Sequence, residues 1–164
     1  MKTITLHKGS VYILLALTIL FTGCPNSNHT APSKTNEELL SAPEEVNIND
    51  QNYTLSADLW RDFMPPSEGS DLMAVVTVSE KNSIEIPPGL NATYLWVING
   101  DEVWSTFFSN ESRPPIPTYQ LEKIARGGPK WDTGSNVDVV VYLTDGSGGE
   151  YLLKVSNQVI QATY

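Results

Sequence analysis

Thr93-Tyr94-Leu95-Trp96-Val97-Ile98-Asn99-Gly100-Asp101-Glu102-Val103-Trp104 is the stretch whose reading decides the fold. Two apolar, β-branched and aromatic runs flank Asn-Gly, a dipeptide suited to the positive φ angles that a two-residue hairpin turn demands. The first run is apolar on both faces. That pattern predicts a strand covered on both sides or set deep in a sandwich, with Trp96 in the central core.

The same grammar recurs on either side. Tyr53, Leu55, Ala57 and Leu59 alternate with Thr54, Ser56 and Asp58, the period of a half-buried strand. Leu72–Val78 is a β-branched run, and Ser83–Ile86 is a short one that stops at Pro87-Pro88-Gly89. Glu102–Phe108 is the return strand of the hairpin, and Thr118–Ile124 is a further strand. Val137, Val139, Val141 and Leu143 alternate with Asp138, Val140 and Tyr142. Tyr151–Val155 returns, and Val159–Thr163 is expected to continue it beyond a bulge. No helical period competes. These signals predict an all-β domain over 46–164: an antiparallel immunoglobulin-like or fibronectin-like sandwich of about seven or eight strands. The chain has one cysteine, which rules out the intramolecular disulfide of antibody domains.

Ahead of the domain lies a different chemistry. Lys2 and Lys8 precede the 11-residue apolar run Val11–Phe21. That run is short of the roughly 20 residues a spanning helix needs, and it reads as a secretory signal over 1–23. The single cysteine, Cys24, follows Thr22-Gly23 and resembles the bacterial lipobox. The resemblance implies a lipid on Cys24, a mature chain that begins there, and a location in the bacterial cell envelope. With Pro25 next, it implies the outer membrane if the source is Gram-negative. Residues 24–45, rich in Ser, Asn, Thr, Pro and Glu, are expected to be a flexible tether.

Cleavage would leave eight basic against 19 acidic residues, a net charge of −11. Nucleic acid and anionic headgroups need basic patches, so neither is expected as a partner. The one histidine beyond the signal, His29, lies in the expected tether. Ser-His-Asp and Cys-His catalysis and the usual zinc sites are therefore not expected, nor is any cofactor. Asp145-Gly146-Ser147-Gly148-Gly149-Glu150 lacks the spacing of a calcium loop and reads as a hairpin turn.

Leu59-Trp60-Arg61-Asp62-Phe63-Met64-Pro65, the Leu95–Trp104 hairpin and Gly128-Pro129-Lys130-Trp131 resemble, in this order, a group of small uncharacterised bacterial envelope lipoproteins. The resemblance lends no catalytic residue. Trp60, Arg61, Arg126, Lys130 and Trp131 are the candidate binding residues, because Trp and Arg anchor interfaces. Lys123, Arg126 and Lys130 cluster in sequence on an otherwise acidic domain. The expected function is a lipid-anchored, non-enzymatic envelope domain that engages another protein. The alternative is a carbohydrate-binding module that uses exposed tryptophans.

Overall fold

The computed structural model describes residues 30–65, 69–111 and 114–164. The expected signal, Cys24 and the start of the expected tether lie outside them. Among the described residues the chain is all-β apart from one short helix, α1 (Asn36–Leu40). Its strands are β1 (Glu45–Ile48), β2 (Gln51–Asp62), β3 (Leu72–Glu80), β4 (Asn91–Asn99), β5 (Glu102–Phe107), β6 (Gln120–Gly128), β7 (Asn136–Thr144) and β8 (Glu150–Thr163). Their order is β5-β4-β7-β8-β2-β3-β6, with β1 added on β2.

The hairpin forms, with its turn one residue later than expected. Asn99 pairs with Glu102, so the turn residues are Gly100 and Asp101. Of these only Gly100 has positive φ, 59°, which is the II′ pattern rather than I′. Both angles are positive at Asn49 and Asp50 (51° and 64°), which join the unforeseen strand β1 to β2. Ser83–Ile86, expected as a strand, is a loop. The buried Glu80 carboxylate accepts from the backbone N–H groups of Asn82 and Ile84, both at 2.8 Å, and this turns the chain away from any ladder.

The sheet is mixed rather than antiparallel throughout. β8 runs antiparallel to β7 from Glu150 to Val159, then parallel to β2, Ile160–Thr163 matching Leu59–Asp62. The change of partner falls at a bulge. The register shifts opposite Val137 and Val139, Asn157 has a φ of 56°, and its N–H donates to Asp138 Oδ1 at 3.0 Å. The expected continuation of the last strand beyond a bulge is what β8 does.

Among the described residues two apolar clusters result. The larger takes Leu55, Leu59, Val76 and Val78 from one half of the sheet and Leu95, Val97, Val139 and Val141 from the other. Trp104 belongs to it. Trp96, expected at its centre, is buried elsewhere. The register shift between Ala92 and Tyr94 puts Tyr94, Trp96 and Ile98 on the other face of β4. There they meet Val140 and Tyr142 of β7 and are covered by Leu39 and Ala42.

The cover comes from within the stretch expected as a tether. Thr35 caps α1, its hydroxyl accepting from the Glu38 N–H at 3.3 Å while Glu38 Oε2 accepts from the Thr35 N–H at 2.8 Å. Leu39 is 1% exposed. The Lys154 N–H donates to Pro43 O at 2.8 Å and fastens the far end. Residues 30–44 are thus partly a packed lid on the sheet, because the apolar outer face of β4 and β7 needs covering. Leu39→Ala is expected to lower stability by about 2–3 kcal/mol in urea unfolding; a loss within experimental error would mean that this lid does not bury the face.

Candidate functional site

Arg61 sits on the core-facing side of β2 at 7% exposure. Its Nε donates to Ser70 O at 2.9 Å, and Nη1 donates to Lys130 O at 3.2 Å and Trp131 O at 2.9 Å. The guanidinium lies 5.0 Å from the centre of the Phe63 ring. A cation buried this far needs donors matched by acceptors, and here backbone carbonyls supply them. The loop after β6 is pinned from its other end as well, since Gly134 N–H donates to Ile160 O and Ile160 N–H to Ser135 O. Arg61, expected on the binding surface, is therefore a positioning residue. It fixes Lys130, which is exposed, and Trp131, which packs half-buried against the larger cluster.

Trp60 follows the opposite pleat and lies on the outer face of β2, half-buried. Its cross-strand partners are Met73 of β3 and Gln161 of β8. Arg126 reaches the same row from β6, with Nη1 3.1 Å from Met73 Sδ. Glu111 accepts from its Nε and Nη2 at 2.6 and 2.8 Å, a two-pronged pair at the surface. The five candidate residues thus divide. Trp60 and Arg126 share a row through Met73, whereas Arg61, Lys130 and Trp131 form a braced loop. The three cations clustered in sequence separate too, because Lys123 points to neither place and lines a cleft beside β5. Sequence reasoning missed Met73, since only the β2–β3 register reveals that it stands between a tryptophan and an arginine.

The turn between β7 and β8 is built around Asp145. Its Oδ1 accepts from Ser147 Oγ at 2.8 Å, Gly149 N–H at 2.7 Å and Ser147 N–H at 2.9 Å, and Oδ2 accepts from Tyr151 Oη at 3.1 Å. Among the described residues no group of three or more His, Cys, Asp or Glu side chains gathers as a metal site. None of their helices is long and apolar enough to cross a membrane. No protein-family model, curated protein or solved structure matches the chain.

Two outcomes are expected. Arg61→Ala strands the carbonyls of Ser70, Lys130 and Trp131 and should cost about 3 kcal/mol, and Arg61→Lys should recover little of it because one ammonium cannot reproduce the fork. Chemical denaturation of both variants measures this, and a full rescue by lysine would contradict the clamp. The second concerns acid. The hydroxyl of Ser147, followed by the N–H of Gly149, holds the Asp145 carboxyl down from 3.8 to about 2. Its contribution to stability is complete above pH 3.8 and is lost as pH falls through about 2. Asp145→Asn should flatten the fall in melting temperature across that window, and an unchanged acid slope would remove Asp145 as its source.

Proposed function

We propose that this chain is a lipid-anchored, non-enzymatic domain of the bacterial cell envelope that engages another protein through the outer face of β2, β3 and β6. The observation that carries the reading is the row Trp60–Met73–Arg126, three side chains aligned across adjacent strands. Tryptophan, methionine and arginine are the types enriched at interface centres, and a sheet holds them without further ordering cost. The pinned loop with Lys130 and Trp131 offers a second contact from the same domain. We read the two halves of the sheet as facing layers of an immunoglobulin-like sandwich with one parallel pair. Support comes from the larger apolar cluster, which draws side chains from both halves.

The anchor is proposed on Cys24, from the lipobox resemblance. Only six positions separate Cys24 from Thr30, and six residues reach at most about 20 Å. With 30–44 partly committed to the sheet, the anchored domain would stand close to the bilayer.

The test uses the full chain in its native envelope. Cys24→Ser should leave the membrane fraction and stop incorporating labelled fatty acid. A photo-crosslinker at position 73 should capture a discrete protein partner, and Trp60→Ala should weaken that capture about 30-fold, roughly 2 kcal/mol, at unchanged fold. Retention of Cys24→Ser with label incorporated would overturn the anchor. Capture indifferent to Trp60, or tryptophan-dependent binding to a glycan array, would overturn the protein-interaction reading, the latter in favour of a carbohydrate-binding module.

A further inference from the structure

β5 and β6 are the two outermost strands of the sheet. Among the described residues their sides of the sheet are joined by one bridge, Ser109 with Ile124, where the Ser109 N–H donates to Ile124 O at 2.8 Å. Beside that bridge opens a cleft of about 500 Å³ lined by Asn91, Thr93, Phe107, Phe108, Asn110 and Lys123.

Lys123 gives the cleft its chemistry. It stands opposite Val76 in the β3–β6 register, on the core-facing side of β6. Burial lowers the pKa of its amine. Nothing among the described residues accepts a hydrogen bond from its Nζ, and no carboxylate pairs with it. Four other cations differ, while Lys130 is exposed on its loop. Lys34, Lys81 and Arg126 meet Glu38, Glu45 and Glu111, and Lys154 Nζ donates to Leu40 O. In a chain of 19 acids, a partly desolvated lysine without a counter-ion marks a place where an anion from outside is favoured. The surroundings narrow the anion further. Phe107, 41% exposed, supplies an apolar platform, and the amides of Asn91 and Asn110 supply donors and acceptors. The outermost strand β5 borders the cleft, and such an edge accepts an extended main chain.

From this juxtaposition we infer that the cleft between β5 and β6 binds an extended acidic peptide segment of a partner protein, its carboxylate on Lys123 Nζ and a neighbouring apolar side chain on Phe107. The site is separate from the Trp60 row and stands without it.

The full chain is titrated with a fluorescent acetylated Val-Glu-Val-Thr amide and with its Val-Gln-Val-Thr counterpart, followed by anisotropy. The acidic peptide should bind at least about tenfold tighter than the neutral one, and added salt should narrow the gap. Lys123→Gln should abolish the preference, and Lys123→Arg should keep it. In wild-type protein with ¹³C-methylated lysines, the Lys123 signal should shift with the acidic peptide alone, a readout that needs no variant to fold. Equal binding of the two peptides, or an unmoved Lys123 signal, overturns the inference. Tighter binding of glucuronate than of the acidic peptide also overturns it, in favour of a sugar acid.

Discussion

The structure depends on a single strand that changes partner. β8 is antiparallel to β7 over its first ten residues and parallel to β2 over its last four. Remove the second pairing and, among the described residues, only the Ser109–Ile124 bridge still joins the two halves of the sheet, β5-β4-β7-β8 and β1-β2-β3-β6. The bulge at Asn157 is what permits the change, because a left-handed residue rotates the following pleat. The parallel segment then meets β2 at the positions that matter. Arg61 pairs with Ala162, Trp60 with Gln161, and the Phe63 N–H donates to Thr163 O at 2.8 Å. One backbone contact thereby fixes both the braced loop and the outer row.

Much of the fold was legible in the residues, for physical reasons. Alternation in β2 and β7 and the branched run of β3 mark strands because one side of each pleat must face apolar neighbours. The two-faced apolarity of Thr93–Ile98 implied cover on both sides or a place deep in a sandwich, and both faces of β4 are covered. The nature of the second cover was not legible. Residues 30–44 look too polar to pack, and the decisive apolar contact is one residue, Leu39, held in place by a cap between Thr35 and Glu38. The position of Trp96 was misread for a related reason: a register shift at Thr93 moves the following side chains to the opposite face, and strand periodicity carries no trace of it. Ser83–Ile86 reads as a strand, but Glu80 Oε2 takes the Ile84 N–H, and that of Asn82 just before the segment, away from any ladder.

The candidate site was legible as residue types but not as an arrangement. Trp60 and Arg61 are neighbours in sequence, yet the pleat sends one outward and the other inward, so their roles diverge. Arg126 and Lys130 are four apart and serve different surfaces. Lys123, the least conspicuous of the three cations, is the partly buried one, and no carboxylate among the described residues pairs with it. Pairing cannot be read from spacing when the acids that neutralise cations come from other segments, as Glu111, in the loop after β5, does for Arg126.

The most direct test of this account is the pairing of β2 with the end of β8 in solution. Nuclear Overhauser contacts between the backbones of Leu59–Asp62 and Ile160–Thr163 should follow a parallel ladder, with slowly exchanging amides on both strands. An antiparallel pattern, or rapid exchange at Ile160–Thr163 with no contact to β2, would contradict it, and the placement of Trp60 and Arg61 would fall with that pairing.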